Sequence, residues 1–204
     1  MLPRPFLDCI QNVEKRTVWR PGAFAASCYP LTVPADAFSE DRELIQVVDA
    51  ALAEAAHKAG SWLVCRPGCS SCCLGPFSIN LRDAERLRAG FVELTERDPE
   101  RAARVRARAG ALLERSPDGS PDEDEHCPAL DPSTGTCDLY SARPLTCRTF
   151  GPPVRCAEGG VAICELCFDG AGSEVIEACT VDLDLGALMD EPGETTVALA
   201  LAGR

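Results

Sequence analysis

Four cysteines crowd into nine residues, Cys65-Arg-Pro-Gly-Cys69-Ser-Ser-Cys72-Cys73, and no other feature of the chain constrains its fold as strongly. Cys127, Cys137 and Cys147 follow downstream. A C-x3-C-x2-C-C run joined by further cysteines holds thiols close enough together to share a metal. What those sulfurs hold is therefore the first question about function.

The 204 residues are long enough to bury a real core. No stretch approaches the roughly 18 to 20 apolar residues of a transmembrane helix. The start, Met1-Leu2-Pro3-Arg4-Pro5-Phe6, lacks the apolar segment of a secretory signal, so a cytoplasmic location is expected. Thiols stay reduced there, so clustered cysteines read as ligands rather than disulfides. An odd total of thirteen also suits full pairing poorly. The net charge of −12 opposes nucleic-acid and anionic-membrane binding, both of which need a basic field. The expected partner is a metal ion, with neither nucleic acid nor membrane.

The pattern predicts an α+β, mainly α fold: a small helical domain around a cysteine-rich loop and β-hairpin that bind metal. Residues 1–38 read as an N-terminal arm, 39–185 as the metal-binding domain and 186–204 as a C-terminal tail. Leu44, Val47, Val48, Ala51, Leu52 and Ala55 recur at helical spacing over 39–57, with Ser39 as cap. A second helix is expected from the cap Asn80 to Gly90, and a third from Asp98-Pro99 to about Arg115. On the third, Ala102, Val105, Ala109 and Leu112 form an apolar stripe. Arg101, Arg104, Arg108 and Arg115 line another face, read as solvated. Residues 116–125 form a polar, acidic linker, and consecutive carboxylates there repel rather than build a cation site.

The stretch from Cys127 to Tyr140 reads as two short strands joined by an Asp-Pro-Ser-Thr-Gly turn, which lets Cys127 and Cys137 meet. Arg143-Pro144 then opens a short helix presenting Cys147, whose thiol is expected to be acidified by the helix N-terminus. Cys164-Glu-Leu-Cys167 has the spacing of a metal knuckle, with sulfurs suited to a shared ion about 2.3 Å from each. The expected ligands are thus Cys65, Cys69, Cys72, Cys73, Cys127, Cys137, Cys147, Cys164 and Cys167. Cys9 and Cys28 read as small buried hydrophobes. Cys156 is undecided, and core packing accounts for Cys179. Solvent and a helix end account for His126 and His57.

Cys65-x3-Cys69-x2-Cys72-Cys73, Cys127-Pro128-x-Leu130, Gly135-x-Cys137-x-Leu139-Tyr140 and Arg143-Pro144-x2-Cys147-Arg148-x-Phe150 together resemble the YkgJ-type cysteine-cluster family, the CxxCxxCC zinc- or iron-chelating domain. The resemblance covers about residues 60–151. Within it, the Arg-rich helix and acidic linker at about 98–125 read as an insertion. Flagellin lysine N-methylases look related through the same cysteines, which implies that an iron–sulfur cluster is an option.

Soft thiolates with almost no histidine select zinc or iron–sulfur. Seven core cysteines exceed the four of a closed zinc site, and neighbouring side chains such as Cys72 and Cys73 diverge on extended backbone. A polynuclear cluster such as [4Fe-4S], two sites, or one site with spare thiols all remain open, with iron–sulfur favoured over zinc. Metal binding without catalysis leads the functional classes, since no catalytic motif is recognised. An iron–sulfur enzyme related to protein lysine N-methylases and a thiol redox sensor are the alternatives.

Overall fold

A computed structural model describes residues 37–75, 78–119, 122, 124–156, 160–183 and 193–203. The arm expected over 1–38 lies outside these apart from Ala37 and Phe38, and so do Cys9 and Cys28. The architecture is α+β and mainly α. Helix α1 spans Ala37–Ala59, so it starts two residues before Ser39, which is not its cap. Strand β1 is Ser78–Asn80, α2 is Leu81–Arg97 and α3 is Pro99–Arg115. The hairpin β2 (Leu130–Asp131) and β3 (Thr136–Cys137) precedes α4, Leu145–Arg148. A second hairpin, β4 (Val154–Arg155) and β5 (Val161–Ala162), precedes α5, Ser173–Cys179. Strand β6 (Glu194–Thr196) and helix α6 (Val197–Ala202) close the chain.

The caps behave as their chemistry requires. Asn80 Oδ1 accepts the Asp83 N–H at 2.8 Å, and Asp98 Oδ1 accepts the Arg101 N–H at 3.0 Å, each satisfying an otherwise orphaned amide. Helix α2 does not stop at Gly90 but continues to Arg97. Glycine serves packing there rather than termination: a Cβ on Gly90 would lie 2.2 Å from the Ala142 Cβ.

The main core joins Leu87, Phe91 and Leu94 of α2 to Ala102, Val105 and Ala109 of α3 and to Val197, Ala200 and Leu201 of α6. The apolar stripe of α3 is buried throughout. Glu194–Ala202, within the segment expected as a tail, are thus a strand and a helix of the fold. β6 pairs antiparallel with β1 in the register Ser78↔Thr196, Ile79↔Thr195, Asn80↔Glu194, and α6 packs on α2 and α3. Helix α3, read as part of an insertion, is one wall of this core. A second cluster sets Val48, Leu52 and Ala55 of α1 against Leu145, Val154, Cys156 and Val181. Val47, on the expected apolar face, is exposed. Among the described residues no helix is long and apolar enough to cross a membrane.

Two helical glycines make a matched test. Gly110 on α3 has open space where a Cβ would go, so Gly110→Ala is expected to stabilise by about 0.5–1 kcal/mol through the helix-propensity gain. Gly90→Ala meets Ala142 and is expected to destabilise by about 1–3 kcal/mol. Urea unfolding of the two variants should move the midpoint in opposite directions.

Candidate metal centre

Turns, not regular elements, place the first cysteine run. After a 3-10 turn at Gly60–Trp62 the chain extends into Cys65. It then turns through Gly68 (φ +92°), with the Cys69 N–H donating to Arg66 O at 2.9 Å. Only glycine enters that backbone region without strain. Ser71–Cys73 form another 3-10 turn, so Cys72 and Cys73 are not on the extended backbone that would separate their side chains.

Two backbone bonds stitch this run to the second block. The Cys127 N–H donates to Cys73 O at 2.8 Å, and the Gly75 N–H to Glu125 O at 2.9 Å. The hairpin registers Leu130 opposite Cys137 and closes through Gly135 (φ +65°), whose N–H reaches Asp131 O at 2.8 Å. Cys147 is the third residue of α4, with Pro144 just before the helix as its cap.

The nine expected ligands separate into two groups. In one, Cys72, Cys73, Cys127, Cys137 and Cys147 are close enough for the charge on one to disfavour ionisation of the next. In the other, Cys65 Sγ lies 3.9 Å from Cys167 Sγ, and Cys164 and Cys69 are the further thiols acting on Cys65. The pairing of Cys65 with residues 102 positions away was not legible from spacing. All eleven described cysteines are unbridged.

The five-thiol group has graded acidity. The Cys73 thiol, donating to Cys72, lowers Cys72 to about 7, aided by the Cys72 backbone N–H and the Arg143 cation. Cys73 is raised because ionising would forfeit the bond it donates, and burial adds to the rise. Burial pushes Cys127 up to about 12 against the opposing pull of the Ala129 and Leu130 N–H groups. Cys137 also rises through burial, opposed by the Leu139 N–H and Arg143. Cys147, expected to be acidified by its helix, is instead raised well above the ordinary thiol value. Burial and the neighbouring thiols outweigh the dipole of a single-turn helix.

Arginines hold the frame. Asp138, buried between Cys137 and Leu139, pairs with both Arg101 and Arg108 of α3, and Arg108 Nε also donates to Pro128 O at 2.8 Å. Two of the four arginines read as a solvated face thus grip the cysteine hairpin, while Arg104 is exposed and Arg115 pairs with Glu125. Buried Arg148 donates to both Asp49 carboxylate oxygens (2.8 and 2.7 Å) and to the Arg143 carbonyl (3.1 Å), tying α4 to α1. Buried Asp83 accepts the Leu145 N–H at 2.9 Å and pairs with Arg86, which also reaches Asp41. Asp138 and Asp83 carry no signal in the sequence, and Arg148, though part of the motif, gives no sign of its partner, since single charged residues look alike until their partners are placed. Cys156 and Cys179 sit in apolar clusters, and His57 and His126 are exposed.

Among the described residues no three His, Cys, Asp or Glu side chains are placed to hold a metal ion together. The donor chemistry nonetheless fits a soft ion: five crowded thiols, amide N–H groups directed at Cys127 and Cys137, and the Arg143 cation beside Cys72 and Cys137. The Arg143 Nε is buried with no partner. Its guanidinium is held over the Tyr140 ring at 4.0 Å, so a donor waits at this edge of the site.

Fold and site together define a thiol-rich domain suited to soft metals. Residues 64–167, just over half of the chain, match the family described as "CxxCxxCC: Putative zinc- or iron-chelating domain", and the chain belongs to this family. No curated protein and no solved structure matches the chain significantly.

Two measurements check this account. Replacing both Arg101 and Arg108 by Gln strands the buried Asp138 carboxylate, and should cost about 3–5 kcal/mol in urea unfolding. Arg104→Gln on the exposed face should change stability by less than about 0.5 kcal/mol. The second check is pH dependence of the reduced, metal-free protein. Burial pushes Cys65 and Cys127 up to about 12 in the folded protein, against about 8.5 when unfolded. The unfolded chain therefore loses protons that the folded one keeps. Their contribution is complete below about pH 8.5 and falls as pH rises above it. Cys72, lowered to about 7, acts in the opposite sense between about pH 7 and 8.5. The urea midpoint should thus decline from pH 9 to 10, more shallowly in Cys127→Ser; a flat profile in the wild type contradicts the placement.

Proposed function

We propose that the protein is a cytoplasmic metal-binding protein that holds zinc or iron through the thiolates of Cys72, Cys73, Cys127, Cys137 and Cys147, with an iron–sulfur cluster the favoured occupant. The observation that carries this reading is the convergence of five thiols from three chain segments, joined by the Cys127 N–H bond to Cys73 O. Five thiols supply the four that either a closed zinc site or an iron–sulfur cluster takes, and the amide donors and nearby cation, the usual means of tuning cluster sulfurs, favour the cluster. Unbridged thiols in this number suit a reducing compartment.

Each protein group has a task in this reading. The 3-10 turn of Ser71–Cys73 presents the vicinal pair, the hairpin presents Cys127 and Cys137, and α4 presents Cys147. Arg143 offsets accumulated negative charge. Asp138, gripped by Arg101 and Arg108, fixes the hairpin against the helical core. Bound metal would cross-link the three segments and so contribute directly to folding free energy, and a cluster would add one-electron chemistry.

Anaerobically purified protein is expected to be brown, with iron and acid-labile sulfide in proportion. Colourless protein with stoichiometric zinc would replace the cluster by zinc, and protein that takes up neither metal would sink the proposal. Cys147→Ser should weaken metal retention by about tenfold or more under chelator competition. Chelation of the wild type should lower its urea midpoint.

A further inference from the structure

The contiguous run of four cysteines does not serve a single centre. We propose that Cys65, Cys69, Cys164 and Cys167 form a second site, for one soft divalent cation such as zinc, separate from the five-thiol centre and reaching the surface through Cys65. The inference rests on the reading of the chain as a thiolate metal binder.

Four observations support it. The first is proximity: Cys65 and Cys167 bring their sulfurs to 3.9 Å across 102 residues of sequence, and Cys164 and Cys69 are the other thiols acting on Cys65. The second is chelate geometry on both sides. Cys65 and Cys69 flank the turn at Gly68, while the Cys167 N–H closes onto Cys164 O at 2.9 Å, a short loop that sets two sulfurs on one side.

The third is backbone strain. Phe168, directly after this loop, has φ +60°, and among the described residues no other non-glycine residue has a positive φ. Such a conformation persists where the surroundings over-determine it. Here the Phe168 N–H is tied to Trp62 O at 3.0 Å and its side chain is buried, so the strain locks the Cys164–Cys167 loop beside the segment entering Cys65. The fourth is a space cleared for sulfur. Gly151 (φ +116°) faces Cys65, and a Cβ there would lie 3.0 Å from the Cys65 Sγ.

The two thiol groups also belong to different parts of the packing. Cys164 and Cys167 lie in an apolar cluster with Ala59, Phe168 and Cys179, whereas Cys127 and Cys137 pack on the core of α2 and α3. Cys65 is exposed, so an ion can reach it from solvent without crossing the five-thiol centre. The four sulfurs are not placed to hold an ion together in the structure, so binding requires them to move toward the Cys65–Cys167 pair.

Zinc added to the reduced, metal-free full chain, in competition with a chromophoric chelator, tests the proposal. The wild type is expected to take up two ions per chain. Cys65→Ser/Cys167→Ser should take up one and lose the other, and the reciprocal Cys127→Ser/Cys147→Ser should also retain one. If Cys65→Ser/Cys167→Ser binds as much zinc as the wild type, or if either double variant loses both ions together, the second site is overturned. Wild type that binds no zinc or iron in any form overturns the metal-binding reading itself. Circular dichroism checks that each variant folds, and Cys69→Ser, a milder change at a half-buried position, should show the same loss of one ion if the double variant does not.

Discussion

A buried carboxylate with two arginines on it connects the helical core to the thiol sites. Asp138 follows Cys137 directly, so the grip of Arg101 and Arg108 on it also fixes a sulfur. A lone buried carboxylate is strongly unfavourable, and its demand for partners determines how α3 lies against the hairpin. That orientation sets where Cys137 and Cys127 face, and the Cys127 N–H bond to Cys73 O then brings the first run to them. Arg148 and Asp83 do the same for α4, anchoring Cys147 to α1 and α2. Charged groups thus position thiols that could not position one another.

Without metal the thiols oppose one another. The hydrogen bond to Cys72 and then burial raise Cys73, burial and mutual repulsion raise Cys127, Cys137 and Cys147, and Cys72 alone of the five is lowered, by the thiol of its neighbour. Loading a soft cation would reverse this, since thiolates crowded at short range are stabilised by a shared positive ion. The amides directed at Cys127 and Cys137 and the unpartnered Arg143 Nε already suit the ionised form.

Local signals in the chain read correctly where local chemistry decides the outcome. Asn80 and Asp98 cap their helices, the stripe Ala102, Val105, Ala109 and Leu112 is buried, and the Asp131–Gly135 turn closes a hairpin. Gly90 was misleading because its role is to admit Ala142, a residue 52 positions further on. The segment after 186 lacks strong periodicity, and its place beside β1 comes from pairing with a distant strand. The arginine face of α3 looked solvated because helical spacing shows which residues share a face but not what that face meets.

The sequence by itself determined the kind of chemistry: thirteen cysteines against two histidines leave sulfur as the dominant donor, and soft donors select soft metals. It also determined the caps, turns and apolar stripe that build the helices. Only the tertiary structure decided which thiols meet. It divided one contiguous run, sending Cys72 and Cys73 toward the hairpin and α4, and Cys65 toward Cys167. Spacing along a chain sets reach, but which partners come within reach depends on packing and on buried charges that must find their counterparts.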